Sequence, residues 1–308
     1  MDINHKIIER IIFTQFNEYP SEIEKIEMGV MTFKFRVKIN DLNYVLRIYP
    51  SENTTNIKQE FAMMQKLFAA GCKVPEPVIF SEENDQRFLI YKFIEGKSLS
   101  FLSASLTNLE IENIAAEIIN NMLHISVQEV NGFGFSFLSP KKYDSWKEFL
   151  LEYIDRGDFY LRKNKMFDEY TIESILDFAK KHVDQIEIEK PNFVWCDFSQ
   201  GNIIIHKNKL AGFVDFEGCV SGDPVIALGY LFAIEGNSKF FNAILNCYRK
   251  HNPVAYERIL FYAIIRLLRF SKYVNNPFPT GIKRDPVPDY FKGLPIAIEY
   301  IQSKNKNG

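Results

Sequence analysis

The spacing of apolar residues changes once along this chain, and that change limits the folds open to it. Up to Phe93 the pattern is mainly strand-like. Ile23 to Glu27 leads into Met28-Gly29-Val30-Met31-Thr32, after which Phe33, Phe35 and Val37 alternate with Lys34, Arg36 and Lys38. A period of two marks a half-buried strand. Asn40-Asp41 is a turn signal, and Tyr44 to Tyr49 reads as the next strand. Two helices interrupt this part. In residues 3–19, Ile3, Ile7, Ile8, Ile11 and Ile12 fall near helical spacing; in residues 56–70, Ile57, Phe61, Met64, Leu67 and Phe68 share a face and Gly71 suits the C-cap. Val78 to Phe80 and Phe88 to Phe93 add two strands around the polar turn Glu82 to Arg87, and Ile94 to Lys97 is a connector. Residues 109–125, 145–163, 169–186, 225–235, 238–250 and 254–274 then carry helical spacing, with 193–216 the one exception. The expected fold class is α+β: a β-rich N-terminal lobe over residues 1–93, a mainly helical lobe over residues 94–308, and a ligand cleft between them.

The exception, Phe193 to Pro224, carries the chemistry. It reads FVWCDFSQGNIIIHKNKLAGFVDFEGCVSGDP. Asp197 ends a short apolar run and Asn202 follows it. Ile203 to Ile205 and Leu210 to Val214 form the strands of a hairpin that turns at Asn208, so Asn202 at its start and Asp215 at its end lie near each other. His206 falls at the opposite end and reads as a turn residue. A lone Asp in such a place is more often a cap or turn residue than a catalyst. The coupling of Asp197 and Asn202 to a hairpin ending in Asp215-Phe216-Glu217, then Gly222-Asp223-Pro224, is far less common. Phosphoryl transfer needs such a set, because negative charge spreads over the transferred group and must be met by cations. Mg²⁺ takes one or two carboxylates together with substrate phosphates and water. Asp215 and the amide oxygen of Asn202 suit that metal, and Asp197 suits the proton of an attacking hydroxyl.

Composition removes several other classes. The 308 residues are 46% hydrophobic and 25% charged, as in ordinary globular chains, and the net charge is −2. Nucleic acid is disfavoured as a partner, since neutralising phosphates calls for a basic excess, and a polybasic membrane anchor is missing. Ile259 to Leu268 is too short to span a bilayer and contains Arg266. Cys72, Cys196, Cys219 and Cys247 show no CxxC spacing, which points to reduced thiols and a cytoplasmic protein. The opening MDINHKIIERIIF lacks the apolar run and cleavage site of a signal peptide.

The segment resembles the catalytic stretch of the aminoglycoside-phosphotransferase family, which shares the two-lobed protein-kinase-like fold. That family's wording is close to H-G-D-x-x-x-x-N, a strand, I-D-[WF]-[EG], then G-D-P. The match here is Asp197, Asn202, Asp215-Phe216-Glu217 and Gly222-Asp223-Pro224. The resemblance implies a catalytic Asp197 and metal ligands Asn202 and Asp215. Trp195 and Cys196 replace the family's histidine and glycine. That histidine mainly supports the loop, and a large aromatic fills similar space; loss of catalysis is the alternative.

The resemblance extends the expected site into the first lobe. Gly29 would lie in a turn whose amides cap phosphates. Arg47 would offer the α- and β-phosphates a forked donor, with Glu60 as its ion-pair partner on the following helix. Arg47 and Val45 should share one face of their strand, with Tyr44, Leu46 and Ile48 on the other. Lys92 and Ile94 would give backbone hydrogen bonds to a purine, with Tyr91 behind, and ATP and GTP remain equally open. The implied activity is transfer of the γ-phosphate to a hydroxyl of a small molecule, with an aminoglycoside the first expectation. A macrolide, choline, homoserine or sugar is the alternative acceptor, and a nucleotide-binding module without turnover the alternative class. A protein kinase is weakened by the single glycine at residues 28–32 and by Asp-Phe-Glu. A polycationic acceptor calls for an acidic wall: Glu148, Glu152 and Asp155 share a helical face, which is either that wall or a solvated surface. The stretch from Asn276 to Phe291, rich in Pro and aromatics, borders the acceptor or is a packed surface loop.

Overall fold

A computed structural model describes residues 5–27, 29–82, 86–283 and 291–307. Ile3, Met28, part of the polar turn after Ser81, and Pro288, Asp289 and Tyr290 lie outside the described residues. The chain opens with helix α1 (His5–Phe16), followed by strands β1 (Glu22–Ile26), β2 (Phe33–Ile39) and β3 (Leu42–Ile48). Helix α2 (Ile57–Ala69) precedes β4 (Pro77–Ser81) and β5 (Phe88–Lys92). The five strands form an antiparallel sheet in the order β1-β2-β3-β5-β4.

Alternation along β3 sorts the two faces of this sheet. Tyr44, Leu46 and Ile48 pack with Phe35, Val37 and the buried Ile8, Ile11 and Ile12 of α1. Val45 joins Tyr49, Leu89, Tyr91 and the α2 residues Ile57, Met64 and Leu67 in the main core. Helix α2 starts where the Asn56 side chain accepts from the Gln59 amide. It stops where the Gly71 and Cys72 amides bond back to the Phe68 and Leu67 carbonyls, with Gly71 at φ +81°.

The rest is helical around two small sheets. It comprises β6 (Lys97–Ser98), α3 (Leu99–Leu102), α4 (Asn108–Ser126), β7 (Gly134–Phe135), α5 (Trp146–Lys163) and α6 (Glu169–Val183), then β8 (Asn192–Val194), β9 (Ile203–His206), β10 (Lys209–Phe213) and β11 (Val220–Gly222). Helices α7 (Val225–Glu235), α8 (Lys239–Arg249), α9 (Tyr256–Phe270) and α10 (Leu294–Asn307) complete it. The connector does more than link. Its end, β6, pairs with β9, so the hairpin is part of a three-stranded sheet β10-β9-β6. The second sheet, β7-β11-β8, brackets the hairpin, because β8 runs into Trp195 and β11 follows Glu217. Helix α9 is buried from Ile259 through Leu268 and packs on α7, α5 and α6. No described helix is long and apolar enough to cross a membrane.

Candidate active site

Strand β8 delivers the chain to Trp195, which is 1% exposed and stacks on Phe213 with centroids 4.2 Å apart and planes within 5°. Its Nε1–H donates to the Asp215 carbonyl at 3.1 Å. Asp215 has φ +68°, a left-handed conformation that a non-glycine residue holds only when its surroundings impose it. Trp195 therefore braces the backbone of Asp215 through one ring and one hydrogen bond. The Cys196 thiol donates to the Gly218 carbonyl at 2.9 Å, tying the same two loops together.

Asp197 and Asn202 are in direct contact. Asn202 Nδ2 donates to the Asp197 backbone oxygen at 3.0 Å and to its Oδ2 at 2.9 Å. On the other side, Arg266 Nη2 of α9 stands 3.4 Å from Asp197 Oδ1. The Asp197 side chain remains 37% exposed, so it faces open space between two fixed donors. The Asn202 carbonyl accepts from the Val214 amide at 3.0 Å, which sets Asp215 beside Asn202 at the mouth of the hairpin. His206 sits at the far end, exposed, before Lys207 and Asn208 with φ +49° and +59°.

The first part of the chain meets this mouth through Arg47. It is 1% exposed and bonds Glu60 Oε1 at 2.8 Å, Asp215 Oδ1 at 2.9 Å and Glu217 Oε2 at 2.6 Å, while its Nε donates to Thr32 Oγ1 at 3.0 Å. Tyr49 donates its hydroxyl to Glu60 Oε2 at 2.8 Å. Lys34 completes the network, with Nζ 2.6 Å from Asp215 Oδ2. Burial pushes the Asp215 carboxyl up, but Lys34 and Arg47 more than offset it and bring it down to about 2. Burial dominates at Glu217 and Glu60, whose carboxyls stand above the usual range.

The Arg47–Glu60 pair expected from sequence is formed, whereas Lys34, Thr32 and Glu217 were not singled out. The signal for Lys34 was present. A two-residue turn at Asn40-Asp41 pairs Ile39 with Leu42, and counting back five places sets Lys34 directly across from Arg47, as found. Gly29 has φ +105°, and a methyl on it would stand 3.0 Å from Lys34 Nζ, so glycine keeps that turn over the cation. In the connector, the Lys92 amide is taken by the Glu76 carbonyl at 2.9 Å and that of Phe93 by Asn43 at 3.0 Å. Ile94 keeps its amide uncommitted among the described residues.

Gly222-Asp223-Pro224 is an anchor. A methyl on Gly222 would lie 2.2 Å from the Trp146 ring. Asp223, 1% exposed, accepts from the Val225 amide at 3.0 Å, from Arg258 Nη2 at 2.6 Å and from the Tyr262 hydroxyl. The acidic helix face resolves as solvated surface. Glu148 accepts from the Asp144 amide, Glu152 pairs with Lys141 and Arg156, and Asp155 is exposed.

No group of three or more His, Cys, Asp or Glu forms a metal cage among the described residues. The donor set instead suits a hard cation that shares its shell with phosphates and water. Asp215 supplies an ionised carboxylate. Asn202 turns its Nδ2 to Asp197, which leaves Oδ1 as its free ligand atom. Lys34, on a flexible four-carbon stem, can yield its place at Asp215; Arg47, fixed on three carboxylates and Thr32, cannot.

A sheet-rich N-terminal part over a helical remainder, with a braced Asp-Asn-Asp hairpin between, defines a phosphotransferase of the protein-kinase-like class. The family model for the phosphotransferase enzyme family, APH, matches residues 22–261, and the chain belongs to that family. It is a small-molecule kinase. Among solved structures, it is similar to a thermostable mutant of aminoglycoside phosphotransferase APH(4)-Ia in ternary complex with AMP-PNP and hygromycin B, with TM-score 0.70, 15% identity and 97% of each chain covered. It is also similar to APH(2'')-Ib bound to ADP, with TM-score 0.58, 18% identity and 97% of each chain covered. A third is the gentamicin–APH(2")-IIa complex, with TM-score 0.60, 19% identity, 89% of this chain and 87% of that chain. At these identities the likeness is one of fold. A search of curated protein sequences finds no match.

Proposed function

We propose that this kinase moves the γ-phosphate of ATP or GTP to a hydroxyl of a small molecule, with Asp197 at the acceptor and Asn202 and Asp215 at Mg²⁺. The observation that carries the reading is the grip of Asn202 on Asp197 at the hairpin mouth, next to the Arg47–Glu60–Asp215 network. Asp197 accepts the hydroxyl proton as the acceptor oxygen bonds to the γ-phosphorus. The bond from that phosphorus to the β,γ-bridging oxygen breaks, and its electron pair leaves on the nucleoside diphosphate. Asn202 and Arg266 keep the Asp197 carboxylate aimed. Lys34 meets the donor's phosphates under the Gly29 turn, Arg47 stays on its carboxylates and holds Asp215 and Glu60 beside them, and the Ile94 amide meets the base. Magnesium, when bound, neutralises charge building on the phosphate oxygens.

The two-lobe division at residues 93 and 94 belongs to this reading, since the donor lies beneath the five-stranded sheet and the acceptor against the helices. Two of the similar structures hold hygromycin B or gentamicin, which supports an aminoglycoside as one acceptor to test, with antibiotic resistance as the role it would bring. A cytoplasmic setting suits four cysteines that are all free and buried. The test is transfer of labelled γ-phosphate to a panel of hydroxyl compounds. Transfer should stop on addition of EDTA and in Asp215→Asn, and return with Mg²⁺ in the wild type only. Labelled product that persists in EDTA contradicts the assignment.

A further inference from the structure

Helix α9 puts two arginines beside Asp197. Arg266 is 3% exposed, contacts Asp197 Oδ1 at 3.4 Å, and its buried Nε has no hydrogen-bond partner among the described residues. Arg269, one turn on, is half-buried. A methyl placed on Gly218 would stand 3.7 Å from Asp197 Cβ and 3.8 Å from Arg269 Nη2, so carboxylate and guanidinium flank that glycine. Lys272 follows on the next turn, and Arg156 of α5 faces it: burial, then Arg269 and Arg156, bring the Lys272 ammonium down to about 8. That crowding has no matching anion among the described residues. Asp197 serves Arg266, and Glu152, 3.9 Å from Arg156, is shared with Lys141. Among the described residues no carboxylate lies within ion-pair distance of Arg269 or Lys272.

Aromatic rings back this charge. The Arg269 guanidinium lies 4.5 Å from the Phe135 ring centroid, and the Tyr230 hydroxyl and the Cys196 sulfur bond to part of it. Arg266 stacks over Tyr230 at 4.8 Å. A guanidinium backed by rings keeps its N–H edge for a planar or tetrahedral oxyanion. A polycation brought here would meet like charge on several sides, and two of the three carboxylates on the helix face that would welcome it, Glu148 and Glu152, are spent on a cap and on ion pairs.

We propose that the acceptor carries an anionic oxygen group, a carboxylate or a phosphate, held by Arg269 with Arg266 and Lys272 while its hydroxyl faces Asp197. This rests on the reading of Asp197 as the acceptor side of the site. Binding of glycerate and glucose 6-phosphate to the wild-type protein loaded with AMP-PNP is measured beside glycerol, glucose and gentamicin, and phosphate transfer from ATP is followed for the same five compounds. The expected result is that the anionic members bind and inhibit one another, with the carboxylate and phosphate arms showing which group is preferred. Arg269→Gln should weaken them roughly 10- to 100-fold, the loss that follows removal of one charge-assisted hydrogen bond, with KM moving more than kcat. Arg269→Lys should recover part of it. Binding of anions that Arg269→Gln weakens, without transfer to any compound, upholds the anion site at Arg269 and defeats the catalytic reading that makes its ligand an acceptor. Gentamicin phosphorylated while neither anion binds overturns the inference and leaves the kinase assignment standing. Failure of every compound to bind, or anion binding that Arg269→Gln does not change, also overturns it.

Discussion

Arg47 is the residue on which most of the buried charge converges. It serves Glu60, Asp215 and Glu217 at once from a position that is 1% exposed. Removing it leaves three carboxylates with Lys34 alone, and breaking buried pairs in this way costs about 3–5 kcal/mol. Arg47→Met should therefore lower the unfolding free energy by about that amount in a denaturant titration, and abolish nucleotide binding. Arg47→Lys keeps the charge but loses the fork, and should retain more stability than binding. Trp195 gives a finer test at the same scale. Trp195→Phe keeps the ring over Phe213 and deletes the hydrogen bond to the Asp215 carbonyl, for a loss of about 1 kcal/mol. If the brace matters for catalysis, kcat should fall while the thermal midpoint moves only a few degrees. The departure from the family's histidine thus reads as a substituted support, because Trp195 holds the backbone of Asp215 rather than meeting a substrate.

At the scale of elements, the site depends on how the hairpin is fastened to the helices. The Gly222-Asp223-Pro224 turn locks β11 and α7 against Trp146, Arg258 and Tyr262. Gly222→Ala should destabilise the protein by at least about 1–3 kcal/mol, measured by thermal unfolding, since its methyl would overlap the Trp146 ring. Most elements were legible because each has its own period: β2 and β3 alternate, and α2, α4, α5 and α6 bury one face. Strands β6, β7 and β11 were not. They are two or three residues long and exist only through pairing with distant strands, which no local pattern records. Helix α10 escaped for another reason: its buried stripe, Leu294, Ala297 and Ile301, is short, starts beside Pro295 and gives way to a polar end. At the candidate site, the proximity of Asp197, Asn202 and Asp215 was legible from the hairpin alone. Arg266 and Arg269 were not, because a helix buried on all sides carries no periodic hint of where its charges point.

For the whole molecule, the loop after α9 reaches back to the sheet. Thr280 Oγ1 donates to the Val30 carbonyl at 2.6 Å, and Tyr273 stacks on Phe278 at 4.4 Å. The described part of the Pro- and aromatic-rich stretch therefore spans from the helices to the turn above Lys34. Thr280→Ala removes one neutral hydrogen bond, worth about 0.5–1.5 kcal/mol. Amide exchange at residues 29–35 should quicken, and KM for the nucleotide should rise a few-fold with kcat nearly unchanged.

In the proposed function, the arrangement as a whole holds the Asp197 carboxylate between a nucleotide and an acceptor. The most direct test is Asp197→Ala, assayed for phosphate transfer and for nucleotide binding in the same preparation. Transfer should fall by roughly 10²- to 10⁴-fold, the usual worth of a positioned proton acceptor, while nucleotide affinity stays close to that of the wild type. Transfer at the wild-type rate in that variant would contradict the account.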